Sequence, residues 1–149
     1  MSKHALGLAL LGAAVIAGSS PASAQTAIQV TLNLSRYSTV QHAAAGQYAG
    51  VSPGVLRVHV GDYVVFYNSD SAHHTATSIA GATTFPEEPR WSVSVLKASG
   101  SIGSDNWSTG DLAPGARSAP IEASKAGTYL YGCFFDYSAG MRGVIIVEP

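Results

Sequence analysis

The stretch "YLYGCFFDYSAGMRG", residues 129–143, holds Cys133, the single cysteine of the chain, then Phe134 and Phe135, the carboxylate of Asp136 and, eight places past the cysteine, Met141. "TYLYGC" before it and "GVIIVEP" after it read as strands, so thiol, carboxylate and thioether share one short loop between two strands. Thiolate and thioether, joined by an imidazole, form a soft, mixed donor set that suits copper in both oxidation states. Taken singly, the residues have plainer readings. Free cysteine is among the most buried residue types, and methionine is ordinary core filler.

Working outward, alternation rather than helical spacing dominates. "AIQVTLNL" (27–34) sets Ile28, Val30 and Leu32 against Gln29, Thr31 and Asn33, the pattern of a half-buried strand. "VLRVHV" (55–60) does the same, and after the turn signal Gly61-Asp62 comes the β-branched and aromatic run "YVVFYN" (63–68). Further strands are expected at "HTATSI" (74–79), "SAPIEA" (118–123) and the two flanking the cysteine loop. The rhythm predicts an all-β chain folded as an antiparallel sandwich. Two segments depart from it. Residues 36–54 carry Ser38 and Gln41 in capping-box spacing with Gly46 as a stop, which predicts one helical turn. Residues 81–115, rich in Gly, Ser and Pro, read as a long loop with an edge strand from Ser92 to Leu96.

Composition narrows the class. The start, with Lys3 and His4, runs into "ALGLALLGAAVIAG" and then Ala22-Ser23-Ala24, the small residues of a signal-peptidase site. Residues 1–24 are therefore expected to be a signal peptide and 25–149 a single domain. The apolar run is shorter than the roughly 20 residues a transmembrane helix needs, so no membrane association is expected once it is removed. About 125 residues suffice for one core. With eight basic and nine acidic residues there is no basic footprint, and nucleic acid is not an expected partner. A lone thiol in an exported protein forms no internal disulfide and calls for burial or ligation.

Three segments together resemble the cupredoxins, the plastocyanin-like small blue copper proteins. "VGDYVVFYNSDSAHHT" (60–75) is similar to the family's G-D-x-V-x-F-x-N stretch leading to a histidine. "GDLAPGARSAPIEASKAGTYLYGC" (110–133) looks like its turn and strand before the cysteine. "CFFDYSAGM" (133–141) matches C-x-x-H-x-x-x-G-M except at Asp136. The resemblance implies a Greek-key β-sandwich of about seven to eight strands. It implies one copper ion per chain, cycling between Cu(I) and Cu(II), with His74, Cys133 and Met141 as ligands and the Thr75 amide donating to the sulfur. His73 falls where the family has proline. The resemblance therefore selects His74, and because neighbouring side chains on extended backbone point oppositely, the two rings are not expected to reach one ion together.

Asp136 stands where the family has its second imidazole, and three readings are open. The carboxylate ligates directly and favours Cu(II); or it turns outward toward His73 and leaves the position to water; or the site has lost copper and Cys133 is a core thiol. Of the other candidates, His59 is expected to meet solvent, His42 has no evident partner, Tyr129 and Tyr131 are expected to be structural with hydroxyls reaching the surface, and Phe134 and Phe135 form an apolar rim. No G-x-S-x-G nucleophile turn is present, and one cysteine falls short of a structural zinc site, so the chain is not expected to be an enzyme. The expected function is electron transfer between redox partner proteins by a periplasmic monomer. The alternatives are a copper carrier or tolerance protein meeting copper donors and acceptors, and a copper-free interaction module.

Overall fold

The structure, a computed structural model, describes residues 27–38, 41–43, 46–91 and 93–149. The expected signal peptide lies outside the described residues. Among these residues the chain is all-β, with one 3-10 turn at Tyr137–Ala139. Its strands are β1 (Ile28–Leu32), β2 (Gln41–Ala43), β3 (Gly46–Tyr48), β4 (Val51–Ser52), β5 (Val55–His59), β6 (Tyr63–Asn68), β7 (Thr77–Ser78), β8 (Ala98–Ser99), β9 (Ser108–Thr109), β10 (Ile121–Glu122), β11 (Gly127–Gly132) and β12 (Arg142–Glu148).

One sheet runs β10-β6-β1-β4 and the other β5-β12-β11-β7-β9-β8, with β2 and β3 as a separate hairpin. Period-two alternation decides which side chains face inward. On β5 Leu56 and Val58 are buried while Val55, Arg57 and His59 are exposed, and on β6 Val64, Phe66 and Asn68 are buried. The central strand β12 has neighbours on both edges and buries Gly143, Val144, Ile145 and Val147. The sheets meet through aromatic rings, forming a β-sandwich. Phe66 of the first sheet meets Tyr131 of the second edge-on at 5.4 Å, and Trp107 stacks on Phe66 at 5.8 Å. Burying Phe66 alone contributes roughly 1.5–3 kcal/mol.

The seven strands read from alternation are all present, although β7 and β10 are cut to two residues each. Three expectations are corrected. The sheets are mixed rather than antiparallel, because β1 pairs in parallel with β6 and β12 with β5. Alternation reports which face is buried and carries no information on strand direction. The helical turn expected after Ser38 is a hairpin instead, with Gln41 opposite Tyr48 and Ala43 opposite Gly46; one turn is too short for capping signals to outweigh strand pairing. The edge strand expected at Ser92–Leu96 lies further on, at β8, where Ala98 and Ser99 pair with β9 and residues 95–96 form a turn; Ser92 itself lies outside the described residues.

Candidate metal centre

Two segments build the site. The first follows β6, where the chain leaves the sheet and must be held without a ladder. Asn68 does this, its side-chain amide donating to the carbonyls of Ala72 and Leu112 at 2.8 Å each and its Oδ1 accepting from the Asp70 amide at 2.9 Å. His74 is pinned on both sides of its backbone, donating to Leu112 O at 3.1 Å and accepting from Leu112 N at 2.9 Å. Its ring is therefore delivered into the interior, where the residue is 1% exposed.

The second segment is the loop from Cys133 to Met141. The Cys133 amide donates to Met141 O at 2.9 Å, and the Met141 amide donates to Asp136 O at 3.2 Å. Gly140 ends the 3-10 turn at φ 88°, a left-handed conformation that glycine adopts without strain, and its carbonyl accepts from Ala49 N at 2.8 Å. Thr75 joins the two segments. Its amide donates to Cys133 Sγ at 3.4 Å, the contact expected from the resemblance, and its Oγ1 accepts from the Phe134 amide at 2.9 Å.

His74 Nδ1 lies 3.1 Å from Asp136 Oδ2 and 3.7 Å from Cys133 Sγ, and Cys133 Sγ lies 3.6 Å from Asp136 Oδ2. These donor atoms all fall within 4.8 Å of one another. One sulfur, one imidazole nitrogen and one carboxylate oxygen make a mixed donor set that fits copper. His74 and Cys133 are buried, whereas the Asp136 side chain is 28% exposed and forms the rim. Burial raises the Cys133 thiol above its ordinary range, and the Asp136 charge adds to this, while amide hydrogen bonds, that of Thr75 foremost, oppose it. A bound cation acts in the opposite direction and favours the thiolate.

No protein-family profile and no curated protein matches the sequence. Solved structures do match in shape. The novel purple cupredoxin from Nitrosopumilus maritimus aligns over 80% of this chain and 98% of its own, with TM-score 0.50 and 21% identity. Dithionite-reduced auracyanin from the photosynthetic bacterium Roseiflexus castenholzii aligns over 85% of this chain and 100% of its own, with TM-score 0.52 and 19% identity. The chain has the cupredoxin fold.

Within that cupredoxin fold, three of the four residues read from the sequence converge: His74, Cys133 and Asp136. Met141, the fourth, is fully buried at the end of the same loop, where the Cβ that Gly50 lacks would lie 2.9 Å from its Cγ. Asp136 faces His74. His73 instead turns outward, its side chain 54% exposed, and its Nδ1 pairs with Asp111 Oδ1 at 2.9 Å. His59 is exposed as expected, its side chain at 67%. The side chain of His42 lies outside the described residues.

Two groups around the site were not read from the sequence. Trp91, in the long irregular segment, packs edge-on against Tyr137 at 5.9 Å and Phe134 at 6.4 Å, and the Tyr137 hydroxyl donates to Pro86 O at 2.7 Å. That segment thus covers one flank of the cysteine loop. Asp70 is the other: its Oδ2 lies 3.1 Å from His74 Nε2. Burial works against the Asp70 charge, but hydrogen bonds from His74, Ser71 and Ser35 outweigh it and hold the carboxyl well below the usual carboxylate range. No local signal marks Asp70, since a spacing of four brings side chains together on a helix and residues 70–74 are not helical.

Proposed function

We propose that this chain is an exported, periplasmic monomer that holds one copper ion and passes single electrons between protein partners, without catalysing a reaction of its own. His74 Nδ1, Cys133 Sγ and an Asp136 oxygen are the proposed ligands, with Met141 as the weak fourth donor. The observation that supports this most is the convergence of three different donor types, brought from two separate segments to within 4.8 Å, in a chain with the cupredoxin fold. Copper supplies the one-electron change between Cu(II) and Cu(I).

The residues of the chain do the rest. Hydrogen bonds that pair both the N–H and the C=O of His74 with Leu112, and those along the Cys133–Met141 loop, fix the donors before any ion arrives, so little has to rearrange when the charge on the ion changes. The Thr75 amide, donating to the sulfur, stabilises negative charge there. Burial of His74, Cys133 and Met141 keeps water off the inner face. Asp136 replaces a neutral imidazole by a harder, anionic donor, which favours Cu(II) and lowers the reduction potential.

The experiment is to add Cu(II) to the folded protein and record visible and electron-paramagnetic-resonance spectra. An intense thiolate charge-transfer band is expected, and Asp136→His should shift it toward the ordinary blue type and raise the potential. A band indifferent to that substitution refutes carboxylate ligation; no band refutes the copper–thiolate reading. A copper carrier is the second reading, favoured by the partial exposure of Asp136, which offers an incoming acceptor a ligand to displace. Carriage requires tight Cu(I) binding and ligand exchange with an acceptor, whereas electron transfer requires reversible voltammetry.

A further inference from the structure

We propose that Asp70 is the positioning residue of this site: its carboxylate accepts a hydrogen bond from the Nε2–H of His74, fixes the ring, and leaves Nδ1 as the nitrogen that holds the ion beside Cys133 and Asp136. The inference rests on the reading that His74 holds the metal.

An ionised carboxylate only accepts hydrogen bonds. Asp70 Oδ1 accepts from Ser35 Oγ at 2.9 Å and from the Ser71 amide at 2.8 Å, and Oδ2 accepts from the amides of Leu34 at 2.8 Å and Ser35 at 3.2 Å. His74 Nε2, at 3.1 Å from Oδ2, must therefore carry a proton to make the fifth contact. In a neutral imidazole with its proton on Nε2, the other nitrogen is a lone-pair donor. That other nitrogen is Nδ1, 3.7 Å from Cys133 Sγ and 3.1 Å from Asp136 Oδ2; an ion shared by the three would replace the proton that Nδ1 otherwise gives to the Asp136 carboxylate, while the Nε2 proton stays with Asp70.

Burial makes the contact a rigid one. The side chains of Asp70 and His74 are 4% and 1% exposed, so water does not compete for Nε2. Because its oxygens are held from the segment after β1 and from the turn after β6, Asp70 cannot swing to follow a mobile ring. The ring follows the carboxylate, and the donor nitrogen is aimed before an ion arrives. An anionic partner on the far nitrogen also strengthens the ring as a donor, which favours the more highly charged ion.

The test combines wild type and Asp70→Asn. In wild type loaded with Zn(II) as a diamagnetic probe, long-range proton–nitrogen NMR should place the metal on His74 Nδ1 and a slowly exchanging proton on Nε2. Metal on Nε2, or an Nε2 proton exchanging as freely as that of exposed His73, overturns the proposal. In Asp70→Asn, Cu(II) affinity should fall by about 10–100-fold and the reduction potential should rise. If Asp70 were merely a loop staple, the variant would lose thermal stability but keep wild-type affinity and potential, and that result also overturns the proposal. Should Asp70→Asn not fold, the wild-type Nε2 proton decides alone. The two readings fail differently: absence of the thiolate charge-transfer band in wild type sinks the copper reading and this one with it, whereas a normal band with an unaltered Asp70→Asn sinks only the role of Asp70.

Discussion

Gly132→Ala tests how tightly the cysteine loop is packed. A Cβ built on Gly132 would lie 2.5 Å from Tyr137 Cδ2 and 2.9 Å from Cε2, so the ring has to retreat by about 1 Å to reach ordinary contact distance. It has nowhere easy to go. Its hydroxyl is tied to Pro86 O at 2.7 Å, Trp91 packs on it at 5.9 Å, and the Arg142 guanidinium lies 4.9 Å from its centroid. Overpacking of this kind costs about 1–3 kcal/mol, and loss of the Pro86 hydrogen bond adds about 1 kcal/mol. Replacing glycine by alanine in the unfolded chain returns about 0.4–1 kcal/mol. The expected net loss is about 2 kcal/mol, read as a fall in melting temperature of about 8 °C. Tyr137 directly follows Asp136, so the carboxylate should shift from His74 and the Cu(II) spectrum should change with it. A double-mutant cycle with Tyr137→Leu isolates the cause, since removing the ring should recover part of the Gly132→Ala loss. Additive losses, or a single-mutant loss below about 0.5 kcal/mol, would refute the argument.

Thr75→Val keeps the amide bond to Cys133 but leaves the Phe134 amide without its acceptor, and should cost about 1–2 kcal/mol, measured as a lower urea midpoint with unchanged slope. Alkaline stability depends on buried phenols. The Tyr131 hydroxyl, expected from the sequence to reach the surface, is buried instead; burial, with a smaller push from Tyr48, holds it far above the usual phenol range, and it has no hydrogen-bond partner among the described residues. Because the folded-state value is the raised one, the stabilisation is complete below about pH 10, the unfolded value, and is lost as pH rises from there toward the folded value. Chemical denaturation across that window should show falling stability, and Tyr131→Phe should flatten part of the decline, leaving the shares of Tyr48, Tyr129 and Tyr137, which are raised as well.

Local pattern alone carried a good deal of this protein. The buried faces of β1, β5 and β6 follow from alternating side chains, because successive residues on a pleated strand point to opposite sides whatever the neighbour. Cys133, Asp136 and Met141 were legible as a group because a single short loop carries them, and His74 was preferred to His73 because His73 falls where the family that the sequence resembles has proline. Pairing was not legible. Nothing in residues 28–32 states that they will run parallel to 64–68, since direction is settled by which edges meet once the sheets assemble. The orientation of Asp136 toward His74, rather than toward His73, was likewise left to the folded chain, where Asp111 occupies His73 instead. Asp70 and Trp91 belong to the same class: one looks like a loop residue and the other like part of an irregular insertion until distant segments bring them against His74 and Tyr137. Faces and ligand spacing are properties of a few consecutive residues, whereas the partners of a buried carboxylate or an indole are set by contacts between segments far apart in the chain, and those exist only after folding.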